Sequence, residues 1–239
     1  MSQDRPDLMN ASCHLAQAMS APTEFDWMRL KRFARYVKGA PVMKIQYRLQ
    51  DDEEKLTEVI LQTDSDWANN IKDRRSHSGG VLCVGAHFIT GWSRVQPVIA
   101  LSSGEAELYS AVIGLPRLAG LLNLLRELRG SDWGIPVHQV DASACKGILL
   151  RRGTGGVKHL EVKDLWAQEL IRRKSIQVRK IARTENCSDS LAFYSCPRTK
   201  SEHMRKLGCE VNVSSSSMAV WALTSWTCRS INCCSRPTT

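Results

Sequence analysis

Four acids in this chain stand where phosphodiester chemistry would need them. Asp64 lies in Thr63-Asp64-Ser65-Asp66-Trp67-Ala68, and Glu107 lies in Ser102-Ser103-Gly104-Glu105-Ala106-Glu107-Leu108-Tyr109. Asp141 lies in Val140-Asp141-Ala142-Ser143-Ala144, and Asp189 in Thr184-Glu185-Asn186-Cys187-Ser188-Asp189. Each falls where a predicted strand ends or a predicted helix runs past the same edge. In-line hydrolysis of a phosphodiester requires stabilising both the attacking and the leaving oxygen, and two divalent ions about 4 Å apart do this. Mg²⁺ takes hard oxygen ligands and keeps several waters. Three or four carboxylates must therefore converge from separate elements. Crowded carboxylates repel one another and resist ionisation without metal, so a core built for stability alone would avoid them.

Each acid also has a plainer reading. Asp66 follows Asp64 by two and reads as a turn or outer residue. Glu105 and Glu107 are two apart on one helix, so only one can point inward. Leu108, Ala111 and Val112 mark the apolar side next to Glu107, which is the choice made here. Asp141 could cap the helix that follows it. Asp189 could be a first-turn acid favoured by the helix dipole.

The elements that must position these acids follow from periodicity. Val59-Ile60-Leu61 leads into Asp64 as a strand. Gly80 to Gly85 and His87 to Ser93 read as a hairpin turning at Gly85-Ala86. Ser103 opens a helix towards Arg129, and Pro116 should kink or split it. Pro136 to Asp141 reads as a strand, Ser143 to Leu150 as a short helix and Arg151 to Gly156 as a basic loop. His159 to Arg173 reads as a helix, Ile176 to Ile181 as a strand and Asn186 to Phe193 as a last helix. Consecutive antiparallel strands followed by crossover helices imply an α/β fold with a mixed sheet covered by helices.

Three parts result. Residues 1–55 carry a helical pattern (Trp27, Leu30, Phe33, Ala34, Val37, stopping at Gly39), a half-buried strand over 43–49, and the charged cluster Asp51-Asp52-Glu53-Glu54. Residues 56–197 are the readable domain. Residues 198–239 carry weak patterning, with Ser214 to Ser217 and Cys233 to Pro237 of low complexity, and read as a disordered tail.

Hydrophobic residues are 43% of the 239, so most of the chain should be globular. The formal charge of +9 favours a polyanionic partner. Nine cysteines, an odd number without metal-ligand spacing, support neither a zinc site nor a disulfide framework, and fit an intracellular, reducing location. The polar start is no signal peptide. No apolar run is expected to reach bilayer length, and no membrane partner is expected.

Taken together, the four acidic motifs resemble the ribonuclease H domain of copia-type LTR retrotransposon Pol polyproteins. Arg74-Arg75-Ser76-His77-Ser78-Gly79-Gly80, Trp92-Ser93, Gln96-Pro97 and Lys158-His159-Leu160-Glu161 match as well. Arg5-Pro6-Asp7-Leu8, Met19 to Thr23 and Leu30 to Gly39 resemble the end of the region connecting the reverse transcriptase to that domain. The resemblance runs from about Arg5 to about Ala192. It implies a ribonuclease H-like mixed five-stranded sheet flanked by helices, and an endoribonuclease that cuts the RNA strand of RNA–DNA hybrids. It implies two Mg²⁺ ions, with Mn²⁺ able to substitute. Asp64 would bridge both ions, Glu107 and Asp141 would bind the ion on the leaving-group side, and Asp189 would bind the ion that activates water. The expected partners are an RNA–DNA hybrid and a reverse transcriptase domain.

A hybrid is bound through phosphates and read by shape and 2′-hydroxyls. The candidate contacts are Arg74, Arg75, Ser76, Ser102, Ser103, Ser143, Lys158 and His159, beside a basic stretch from Arg151 to Arg183. The chain departs from the family pattern in places. It lacks a Tyr-x-Asp-Asp element, so no polymerase activity is expected. Ser188 stands where the family shows Ala, and no His lies between Ile176 and Asp189. The alternative is a catalytically inactive remnant acting at most as a basic nucleic-acid-binding module. An integrase-type nuclease is disfavoured by Glu107 and Asp189.

Overall fold

The computed structural model describes residues 4–48, 57–70, 73–130, 133–153, 155, 162–193 and 196–211. Its centre is strand β2 (Val59–Asp66), in which Val59, Leu61 and Thr63 are fully buried. This alternation of β-branched and apolar residues suits a pleated surface packed on both sides. Strands β3 (His77–Val84) and β4 (His87–Val95) form the expected hairpin, and Gly85 takes the positive φ of 56° that the tight turn needs. β2 pairs antiparallel with β3, setting Asp64 opposite Gly79. It pairs parallel with β5 (Val137–Val140), and β5 pairs parallel with β6 (Gln177–Lys180). The sheet order is β4-β3-β2-β5-β6. The mixed five-stranded sheet read from the pattern is therefore present.

One face is covered by α3 (Ser103–Arg129), α4 (Ser143–Leu150) and α5 (Val162–Arg172). Leu108, Ala111, Leu115, Leu118 and Leu122 recur along α3 at helical spacing and pack with Val59 and Leu61 of β2. A methyl group at Gly114 would meet Thr63 Cγ2 at 2.9 Å, so this glycine lets α3 lie close on β2. α3 continues through Pro116, where a kink or split was expected, so the helix is not split there. By length and mean hydropathy, Ser103–Leu128 could cross a membrane, which corrects the expectation that no apolar run was long enough. Of its leucines, Leu108, Leu115, Leu118 and Leu122 pack against the sheet, while Leu124 and Leu128 are exposed.

The opposite face is covered by α1 (Pro6–Gln17), α6 (Asp189–Ala192) and α7 (Pro197–Lys206). There Met9, Leu191, Met204 and Leu207 pack on Val81, Cys83 and Phe88 of the hairpin. α2 (Glu24–Gly39) starts in a capping box between Thr23 and Asp26. It docks on α1 through Tyr36, whose hydroxyl donates to buried Asp7 at 2.7 Å while Arg5 holds the same carboxylate with two nitrogens. Strand β1 (Met43–Ile45) pairs antiparallel with β7 (Cys209–Val211).

These contacts change the domain reading in two respects. The described part of 1–55 is joined to the sheet through α1 and to the C-terminal strand through β1. The expected tail from 198 begins instead with a helix and a strand. Their inward residues are few (His203, Met204, Leu207, Cys209) among charged neighbours, and so sparse a pattern carries no periodic signal. Residues 212–239, the charged cluster Asp51 to Glu54, and Lys158 and His159 lie outside the described residues.

Candidate active site

Asp64 is buried near the C-terminal end of β2, on the opposite face from Leu61 and Thr63, which meet α3. Two residues on, the strand ends at Asp66, whose carboxylate takes a hydrogen bond from Asn69 and is pushed up to about 6, chiefly by burial. That side chain thus serves the turn after β2.

α3 crosses this strand end because its start is built there. Ser102 caps the helix by accepting from Glu105 N at 3.2 Å. Glu105 turns back to accept from Leu101 N at 3.0 Å and from Tyr109 Oη at 2.8 Å. Its carboxylate is thus committed to the start of the helix. Glu107 points the other way, into the sheet edge, and accepts from Ser65 N at 3.3 Å. Ser110 Oγ, one turn on, donates to Asp64 O at 2.7 Å and locks α3 to the strand. Asp141 follows the last residue of β5, the parallel neighbour of β2. Asp64, Glu107 and Asp141 offer oxygens that all lie within 4.8 Å of one another.

Asp189 arrives from the opposite direction. The loop before it is tied to β2: Asn186 Nδ2 donates to Thr63 O at 3.2 Å, and Cys187 N donates to Gln62 Oε1 at 3.0 Å. Ser188 is buried and donates to Asn186 Oδ1 at 2.6 Å. α6 then crosses β3 over Gly79, where a Cβ would sit 2.4 Å from Ala192 N. Asn10 Nδ2 of α1 and Ser93 Oγ of β4 both donate to Leu191 O, at 3.0 and 2.6 Å. Asp189 is 5% exposed. Its Oδ1 accepts from Arg183 Nη2 at 3.1 Å and Nε at 3.3 Å. Arg183 belongs to the short 3₁₀ turn Arg183–Glu185.

The electrostatics are those of crowded, dehydrated acids. Burial, followed by the charge of Glu107, raises Asp64 well above the usual carboxylate range; Asp189 and Asp141 add to it, and Arg183 opposes. Burial and then Asp141 push Glu107 up to about 8. Glu107 Oε2 is buried without a hydrogen-bond partner. Three convergent hard oxygen donors, one of them orphaned, suit a divalent cation better than a structural core. The acidic cluster can therefore hold a metal ion.

The other candidate residues divide. Ser102, Ser103 and Ser143 are exposed at the starts of α3 and α4, with Ser143 Oγ taking a hydrogen bond from Lys180. Arg74 and Arg75 are exposed in the loop before β3; Arg74 has a positive φ of 57°, and Arg75 pairs with Asp73 at 3.7 Å. Ser76 is a correction: it is fully buried, and its Oγ accepts from Ala68 N at 3.0 Å, so it braces the loop after β2 and does not face a duplex. Within the basic stretch, Arg172 and Arg173 pair with Glu169, and Arg179 pairs with Glu58. Two residues beside the site carried no readable signal. Arg183 looked like one more cation of that stretch. His203, buried and within 2.7 Å of Ser190 Oγ, fell in the segment read as tail.

A mixed five-stranded sheet in this order, covered by helices on both faces, is a ribonuclease H-like arrangement. No family model matches the chain. It is similar to the retrovirus-related Pol polyprotein of transposon TNT 1-94 from Nicotiana tabacum, 27% identical over 205 residues, 85% of this chain and 15% of that protein. It is also similar to that of transposon RE2 from Arabidopsis thaliana, 34% identical over 124 residues, 52% of this chain and 8% of that protein. The chain thus spans a small fraction of the length of each of these two relatives. Among solved structures, it is similar to the N-terminal RNase H domain of a Mycobacterium tuberculosis protein, at 16% identity and a TM-score of 0.39, covering 57% of this chain and 91% of that one. The chain is thus similar to a segment of retrovirus-related transposon Pol polyproteins, and its sheet and helices have a ribonuclease H-like arrangement.

Proposed function

We propose that this protein is an endoribonuclease of copia-type retroelement origin that cuts the RNA strand of RNA–DNA hybrids with two Mg²⁺ ions. The observation that carries the reading is the approach of Asp64, Glu107 and Asp141 to within 4.8 Å of one another. Asp189, buried on the helix that crosses the same edge, is the fourth acid in this reading. The roles would be those the resemblance implies: Asp64 would be shared between the ions, Glu107 and Asp141 would hold the ion on the leaving-group side, and Asp189 would hold the ion on the water side. Bound ions would supply a water nucleophile at neutral pH and charge stabilisation for the leaving oxygen, and Mn²⁺ would substitute. The chain's own work is to hold these carboxylates rigidly. Ser110 and Asn186 do so by fixing their elements to the backbone of β2. Arg74, Arg75, Ser102, Ser103 and Ser143 are exposed, where they would meet phosphates and 2′-hydroxyls.

The test is cleavage of a labelled RNA–DNA hybrid by the purified chain in Mg²⁺, Mn²⁺ or EDTA. Metal-dependent cutting of the RNA strand alone is expected. Asp64→Asn should lower the rate by about a thousandfold or more, equivalent to roughly 4 kcal/mol of transition-state stabilisation, while hybrid binding survives. If Asp64→Asn cleaves like wild type, the site is misassigned. A folded wild type that binds hybrid in a salt-dependent way without cutting it would leave the binding-module reading.

A further inference from the structure

Asp189 already has a cation. Arg183, six residues earlier, places Nη2 and Nε at 3.1 and 3.3 Å from Asp189 Oδ1. Of the ion pairs among the described residues, this is the one that engages a member of the tetrad. The Arg183 side chain is nevertheless 75% exposed, and the 3₁₀ turn that carries it lies at the surface. A buried carboxylate is thus held by a guanidinium that has open solvent to move into. The charge reaches further than Asp189: Arg183 favours the ionised forms of Asp64 and Glu107 as well. Its partner atom, Asp189 Oδ1, is one of the two oxygens that could ligate an ion, so the guanidinium and an ion on that atom exclude each other.

We propose that Arg183 is a tethered counter-ion that occupies the cation position at Asp189 in the metal-free protein and is displaced into solvent when an ion binds there. The inference rests on the two-ion reading. In the metal-free state, Arg183 offsets the repulsion among four acids. In the metal-bound state its place is taken, so it raises the metal concentration needed to fill the Asp189 side. It acts through Asp189 and is a positioning residue.

The experiment titrates Mn²⁺ into the full chain by calorimetry and follows melting temperature in EDTA and at saturating Mn²⁺. Wild type is compared with Arg183→Ala, Arg183→Gln and Arg183→Lys, and Asp189→Asn identifies the weaker of the two ions. Removing the charge should tighten that ion by about two- to fivefold, the scale of an exposed ion pair, with Arg183→Lys close to wild type. Arg183→Ala and Arg183→Gln should melt below wild type in EDTA and level with it at saturating Mn²⁺. Equal Mn²⁺ affinity in every variant overturns the role of Arg183 and leaves the two-ion reading standing. A melting deficit that Mn²⁺ does not remove marks a merely structural residue and also overturns it. If not even wild type binds Mn²⁺, both fall together.

Discussion

Glu105 and Glu107 differ by two positions and by everything that matters chemically. One hundred degrees of helical rotation per residue separates them by more than half a turn. Glu105 is therefore spent on Leu101 N and Tyr109 Oη, and Glu107 is delivered to Asp64 and Asp141. Its raised pKa has a consequence for stability. A carboxyl whose folded pKa lies above its unfolded value favours folding while protonated, so its contribution is present below the unfolded pKa and is lost as pH rises through the folded one. With Glu107 pushed from 4.5 to about 8, and Asp64 raised in the same direction, the metal-free protein should melt progressively lower between about pH 4.5 and pH 8. Mg²⁺ at pH 8 should restore the loss, and at pH 5 should do little, because protons compete for the same oxygens. A melting temperature in EDTA that rises over this range would mean that the acids are not crowded as described.

At the scale of elements, the site depends on two close approaches. α3 lies on β2 over Gly114, and α6 crosses β3 over Gly79. The second is the more sensitive, because the neighbouring atoms at 2.4 to 2.7 Å are backbone and cannot rotate away. Gly79→Ala should cost about 1–3 kcal/mol in urea denaturation, and should weaken Mn²⁺ binding by moving Asp189 with its helix. Unchanged stability would show that α6 does not press on β3. α6 is only four residues long and cannot hold itself. Its position is set by Asn10, Ser93 and the Asn186 loop, so Asn10→Ala should cost about 1 kcal/mol by leaving Leu191 O with one donor fewer. A change within error in urea denaturation would remove α1 from the support of the site.

Over the whole molecule, the chain closes on itself. Residues from both ends of the described structure cover one face of the sheet: Met9 from α1, Met204 from α7, and Leu207 and Cys209 around β7. A chain ending at Pro197, the boundary suggested by patterning, would bare the hairpin residues Val81, Cys83 and Phe88. It should lose about 3 kcal/mol or more relative to one ending at Val211, since burying a Met or Leu is worth roughly 1.5–3 kcal/mol. Equal denaturation midpoints for the two lengths would show that α7 and β7 are dispensable.

The acids, their order and the elements bearing them were legible because strand and helix periods are local, and because each motif sits beside its own cap or turn. Alternation marked β2, the Gly85 turn marked the hairpin, and the leucines of α3 marked its buried face. The pairing of these elements followed from their order. What remained hidden depends on contacts between residues far apart in the chain. That Ser76 is buried comes from its bond to Ala68, and that Arg183 holds Asp189 comes from how a surface turn folds back. Nor does any local period reveal that β1 meets β7 across 168 residues, as Met43 pairs with Val211. Local sequence chose which residues could act; the tertiary structure decided which of them meet, since distance between side chains is a property of packing and has no period to read.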